Sequence, residues 1–198
     1  MGTRGLTAVY ADGKYQIAQY GQWDHYPSGQ GTTVLEFCSK HLKKLNGREK
    51  FKKALAKVQF SKDENELQSS TFEREKEDYS EIESYPYAGR DNGANILELV
   101  LDAPEDKKVF LVDSIDFVGD SLFCEWAYII DLDKGTLEVF RGFQTEKIGS
   151  DERFASFFQK KEHRQETQYF PVKLAKKYDL DNLPVEKVFL EELEPKEE

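Results

Sequence analysis

The chain has 198 residues, with 28 Lys and Arg against 38 Asp and Glu, so its formal net charge is −10. A field of that sign works against general nucleic-acid or membrane-surface binding, both of which need positive charge to meet phosphates. Hydrophobic residues make up 38% and aromatics 13%, too much for a disordered chain, and no apolar run approaches the roughly 20 residues that span a bilayer.

At this length one domain is expected, residues 1–190, with an acidic tail over 191–198 that Pro195 interrupts. There are two cysteines, Cys38 and Cys124, and the opening residues 1–6 carry no apolar leader. Both features point to a cytoplasmic protein with reduced thiols.

In chain order, residues 6–10 and 14–20 are β-type runs, and Ala11-Asp12-Gly13 between them is a hairpin signal. After a 21–31 loop, the spacing predicts a helix over 33–45 with Val34, Phe37, Cys38, His41, Leu42 and Leu45 on its apolar stripe. Thr33 and Glu36 are spaced as a capping box. Asn46-Gly47 stops this helix, and a second over 48–58 carries Phe51, Leu55 and Val58. Residues 61–84 are the most polar stretch, readable as a charged surface helix or as a mobile excursion. A short apolar helix over 95–101 precedes Pro104, and 109–112 and 115–118 are candidate strands.

The best β signal lies in 124–130 and 136–140, where Trp126, Tyr128 and Ile130 oppose Leu137 and Val139. Beyond it come a helical fragment over 152–158, an extended Tyr169-Phe170-Pro171 and a helix-like 172–178. Two hairpins separated by helices indicate an α+β fold: two antiparallel hairpins contributing to one or two sheets, packed with helices.

The densest polar cluster is the 21–31 loop. It offers an aromatic platform (Trp23), a carboxylate (Asp24), a base (His25), the Tyr26 phenol and a hydroxyl (Ser28), and it leads into a helix start where free amides favour an anion. The same residue types are also ordinary turn formers. Cys38 and His41 sit three apart but belong to the apolar stripe, with no second ligand pair to complete a zinc site. Cys124 stands beside Glu125, which opposes thiol activation. Asp131 and Asp133 are accounted for by the turn that ends in Lys134-Gly135. No metal and no cofactor is expected.

Three blocks carry a resemblance: Met1-Gly2-Thr3-Arg4-Gly5, Gln19-Tyr20-Gly21-Gln22-Trp23-Asp24-His25-Tyr26-Pro27-Ser28-Gly29-Gln30-Gly31, and Leu122-Phe123-Cys124-Glu125-Trp126-Ala127-Tyr128. Together they resemble a family of uncharacterised proteins from bacteria, phages and fungi, and the likeness implies no activity, cofactor or catalytic residue. A vaguer likeness is to N-terminal-nucleophile hydrolases, which open with a hairpin and attack with their first residue. This chain departs from that pattern. Loss of Met1 exposes Gly2, which has no side chain, and exposing Thr3 would need a second cut.

Two function classes follow. The first is a small-ligand pocket, with catalysis left open, built from the 21–31 loop beside Arg4; the hairpin brings Arg4 and the loop to one end. Arg4, Trp23, Asp24, His25, Tyr26 and Ser28 would contact a small or anionic ligand, the guanidinium pairing a carboxylate or phosphate bidentately. The second is a non-catalytic interaction protein that uses its acidic surface to bind a basic partner.

Overall fold

The computed structural model describes residues 2–75, 82–157 and 169–194. Strands β1 (Gly5–Ala11) and β2 (Lys14–Gly21) form the first hairpin. Its turn places Asp12 and Gly13 at φ 52° and 78°, the left-handed region that a two-residue hairpin turn demands and that Asp-Gly tolerates. A wide helical turn (Pro27–Gly31) runs into α1 (Thr32–Phe37), and a second wide turn (Cys38–Leu42) follows it. Next come α2 (Leu45–Leu55), β3 (Val58–Phe60), α3 (Glu64–Ser69), β4 (Thr71–Glu75), β5 (Ile82–Pro86), α4 (Ile96–Asp102) and β6 (Val109–Leu111). The second long hairpin is β7 (Trp126–Asp131) with β8 (Thr136–Arg141); β9 (Lys173–Asp179) and α5 (Glu186–Leu193) complete the described chain.

The main sheet has the order β2-β1-β7-β8-β9. Its two hairpins are joined by the parallel pair β1–β7, with Gly5 opposite Trp126, so the fold is α+β with a mixed central sheet. On one face, Val9, Ile17, Tyr128, Ile130 and Val139 meet Val34, Phe37, Phe51, Leu97 and Phe189 from the helices. On the other, Leu6, Ala8, Ala127, Ile129 and Phe140 are covered by Val118, Cys124, Phe154 and Val172. Cover on both faces is why β7 is buried at every position.

Several elements differ from the sequence expectations, each for a local reason. The first helix starts at Pro27 rather than at 33, with Pro at its first turn, where the missing N–H costs nothing. Thr32 and Thr33 therefore lie inside it, no capping box forms, and the Thr32 hydroxyl donates to the Gly29 carbonyl at 2.7 Å. The 61–84 stretch is neither one helix nor an excursion among its described residues. After α3 it forms the β4–β5 hairpin, with Phe72 packed on Tyr85 and Tyr87; residues 76–81 lie outside the described residues.

The 115–118 strand is instead a helical turn (Ile115–Gly119) that lays Val118 over the second core and Phe117 edge-on to Tyr20. The 152–158 fragment is a short turn (Ala155–Phe157), Phe158 being outside the described residues. The helix-like 172–178 segment is β9, an edge strand whose Lys173, Lys176 and Lys177 make it a poor template for further strands. Finally, α5 continues into the segment expected to be a tail, and Leu193, at 4% exposure, belongs to the main core. Residues 195–198 are outside the described residues. Among the described residues no helix is long and apolar enough to cross a membrane.

Candidate functional site

Three separated segments, 2–5, 19–31 and 122–128, meet at His25. Gly5 and Gly21 are paired across β1 and β2, and the His25 imidazole packs over both. A Cβ on Gly21 would stand 1.9 Å from His25 Cε1, and one on Gly5 2.4 Å from Cδ2, so neither position has room for a side chain. The His25 N–H donates to the Thr3 carbonyl at 3.2 Å, and its carbonyl accepts the Tyr128 hydroxyl at 2.8 Å. Its Nδ1 lies 3.2 Å from the Trp23 carbonyl. A carbonyl only accepts, so Nδ1 carries the proton and Nε2 presents a lone pair. The ring is 0% exposed, and this burial lowers its pKa to about 4, so it is neutral at pH 7.

Trp23, Asp24, Tyr26 and Ser28 face outward. Trp23 and Tyr26 are 51% and 46% exposed, and the Trp23 ring rests against Gly2. Asp24 is exposed at φ 53°, with its carbonyl accepting the Gln30 N–H at 2.7 Å. Ser28 donates to Glu194 at 3.4 Å. The Arg4 guanidinium stacks 4.5 Å over the Phe123 ring, while its carbonyl accepts the Glu125 N–H. The loop and Arg4 thus share one end of the sheet, but His25 points into the fold and Trp23, Asp24, Tyr26 and Ser28 point away from it.

A concave site lies at the opposite end of the sheet, where Asp131 pairs with Thr136, on the face away from the helices. It is a cavity of about 530 Å³ to which every strand contributes: Tyr15 from β2, Tyr10 from β1, Asp131 from β7, Glu138 from β8 and Leu174 from β9. Arg153 reaches in from the segment that covers this face. Its Nε donates to Glu138 Oε2 at 2.7 Å and its second nitrogen to Asp131 Oδ2, and the guanidinium stands 5.2 Å over the Tyr10 ring.

Burial by itself would lower the Arg153 pKa, but hydrogen bonds to Glu138, Tyr15 and Asp131 outweigh it and raise it. Burial raises the Tyr15 pKa, and the contact with Arg153 only partly offsets that. Asp131 is 0% and Glu138 5% exposed. Asp131 Oδ1 accepts the Lys134 N–H at 2.9 Å, whereas among the described residues Glu138 Oε1 has one long contact, 3.5 Å from the Thr136 hydroxyl. Lys134 and Lys177, both exposed, also line the cavity, together with Asp151 and Glu152.

Sequence reasoning passed over this cluster because Asp131 was fully explained as a turn residue. Glu138 gives no signal either: between Leu137 and Val139 it reads as the solvated position of an alternating strand, and only the structure shows that face to be covered. His41 Nε2 is 2.8 Å from Glu98 Oε1, and the contacts of Glu98 with His41 and Lys40 lower its pKa against the opposing effect of burial. Cys38 and Cys124 are unbridged in separate cores, where burial pushes both thiols up and away from the reactive thiolate. Among the described residues no group of three His, Cys, Asp or Glu is placed to hold a metal ion.

Compared with family profiles, with curated proteins and with solved structures, the chain finds no match.

Proposed function

We propose that the protein is a cytoplasmic small-ligand-binding protein whose ligand enters the cavity between Tyr10, Tyr15 and Arg153. The observation that carries this reading is the pair of buried carboxylates, Asp131 and Glu138, that share one guanidinium at the bottom of that cavity. Its volume of about 530 Å³ lies in the range of small-molecule sites. A buried ion cluster of this kind adds less stability than apolar side chains of the same volume. Ionisable groups gathered in a cleft mark binding sites more often than plain core.

Two carboxylates against one guanidinium leave the floor net negative, and Glu138 Oε1 is the acceptor with capacity to spare. Tyr10, Tyr15 and Phe157 line the walls, and aromatic faces favour a cation. The ligand class is therefore a small molecule with an ammonium or guanidinium group. The reading is one of binding, with no catalytic step assigned. Unbridged Cys38 and Cys124 support the cytoplasmic setting.

A melting screen across amines, amino acids, carboxylates, phosphates and neutral sugars tests this. A ligand at 100 times its Kd adds roughly 2.7 kcal/mol to stability, so an amine-bearing compound should raise Tm visibly. Leu174→Trp, on the exposed edge strand, should block the cavity and abolish that shift with the unliganded melting curve unchanged. If no class shifts Tm, or if the shift survives in Leu174→Trp, the reading falls.

A further inference from the structure

We propose that the groove between α2 and α4 is a second binding site, one that takes a small phosphomonoester with an apolar or aromatic body. The groove is a cavity of about 450 Å³. Ala54, Leu101 and Ala103, which belong to the core on the helical side of the sheet, form its apolar part, so it lies across the sheet from the cavity at Arg153. Lys50, Lys53 and Lys57 line it from α2 and the residues that follow.

The position of these lysines is unusual for this chain. Residues 40–57 carry eight Lys and Arg and one carboxylate, Glu49, although acids outnumber bases in the whole chain by 38 to 28. Helix α2 buries Arg48, Phe51, Ala54 and Leu55. Lys50 and Lys53 therefore fall on its outward side, and Lys57 continues their line at helical spacing. Like charges three and four apart repel, so the helix by itself does not favour this line. The helix dipole accounts for Lys53 in the last turn but not for Lys50, more than a turn from the end. Lys40, Arg48 and Lys52 each meet a carboxylate: Glu98, Asp181, and Asp12 with Asp133. Along the groove three ammonium groups share one carboxylate, Glu105. The Lys57 ammonium also donates to the Ala103 carbonyl, which ties the two walls together and fixes that charge at the groove.

The chemistry of the lining selects the ligand. Three ammonium groups against one carboxylate leave a positive surplus. A phosphomonoester brings about −1.5 to −2 charges at neutral pH and three strong acceptor oxygens, and so offsets more of that surplus than a single carboxylate does. Ammonium groups are compact, separate donors, suited to the several oxygens of a tetrahedral group rather than to a planar fork. The wall of Leu101, Ala103 and Ala54 gives an organic body apolar surface to cover, which inorganic phosphate alone would leave wet.

The test is a titration of the full chain with phenyl phosphate at neutral pH, followed through side-chain methyl resonances. Those of Ala54, Leu101 and Ala103 should shift together and saturate with one Kd, and inorganic phosphate should bind more weakly. Lys53→Gln, at an exposed position, should weaken phenyl phosphate roughly fivefold. Lys43→Gln, equally exposed but outside the groove, should leave Kd unchanged. Leu174→Trp, which fills the cavity at Arg153, should also leave it unchanged, so the two sites stand or fall separately. Methyl resonances that do not move, phenyl phosphate that binds no tighter than inorganic phosphate, or equal weakening by Lys43→Gln and Lys53→Gln would overturn the proposal.

Discussion

The carboxylate of Asp133 accepts the backbone N–H of Gly13 at 3.0 Å, clipping the turn of the second long hairpin onto the turn of the first. Its other oxygen accepts the Asp12 N–H at 2.9 Å. The two turns are adjacent because β1 and β7 run parallel, so each hairpin reverses at the same edge. Asp133 therefore joins units more than a hundred residues apart through two amides that the hairpin turn leaves unpaired. The amides of Gly13 and Asp12 also lower its pKa. Asp133→Ala should cost roughly 1 kcal/mol, because water can replace the lost acceptor at this exposed position. Urea unfolding at pH 7 measures it, and an unchanged midpoint would show the clip to be idle.

His25 makes stability depend on pH in a definite window. The ordinary histidine value is 6.5, and burial holds the folded-state value at about 4. Between those two values the unfolded chain binds a proton that the folded chain refuses. Stability is therefore complete above about pH 6.5 and declines as the pH falls toward 4, by up to roughly 3 kcal/mol. Glu98 and Asp133 behave differently: their folded values lie below 4.5 and 3.8, so their contributions are lost at lower pH. Urea midpoints between pH 4 and 7.5 should slope in the wild type and flatten in His25→Gln. Equal slopes would mean that the imidazole is not held neutral.

Arg153 neutralises two carboxylates that the fold has already taken out of water. Arg153→Met keeps most of the side-chain volume but strands Asp131 and Glu138, and should cost about 3–5 kcal/mol. Replacing all three together, with Asp131→Leu and Glu138→Met, should recover most of that loss, because no charge then remains buried. Circular-dichroism melts of the single and triple variants give the comparison. A triple variant no more stable than Arg153→Met would show that the cluster contributes through its own bonds.

Both long hairpins are legible in the sequence because each is a local pattern: alternating or continuous β-type residues flank a turn whose chemistry fits its backbone. The parallel β1–β7 pairing has no such trace, since Gly5 and Trp126 are brought together only by everything folded between them. The second face of β8 is covered by the segment that carries Arg153 and Phe154, and that cover is what buries Glu138. Arg153, Glu138 and Asp131 thus become neighbours through tertiary structure and show no motif spacing. In β9, Leu174 and Tyr178 stand four apart, a helical spacing, and the register shift opposite Val139 and Phe140 sends them to opposite faces of the sheet, so no strand alternation shows in the sequence. The 21–31 loop is conspicuous as polar turn chemistry, but which way His25 points depends on two glycines from different strands.

Those glycines permit a sharp test. Neither Gly5 nor Gly21 has a positive φ, so a side chain there meets no backbone strain, and alanine would ordinarily suit a strand better than glycine. The obstacle is the imidazole, 1.9 Å from where a Cβ of Gly21 would lie. Gly21→Ala must therefore push His25 off the sheet, disturbing the bonds to Thr3, Trp23 and Tyr128, at a cost of roughly 1–3 kcal/mol as an overpacked core. With His25→Ala the ring is gone and the Cβ has space. In that background Gly21→Ala should be neutral, or stabilising by a few tenths of a kcal/mol. A double-mutant cycle in urea should then show a coupling of more than about 1 kcal/mol between the two positions. Gly13, whose Cβ would meet nothing within 4 Å but whose φ is 78°, is the control: Gly13→Ala should cost the same with or without His25. Additive effects at Gly21 and His25 would mean that the ring is not what makes glycine necessary there.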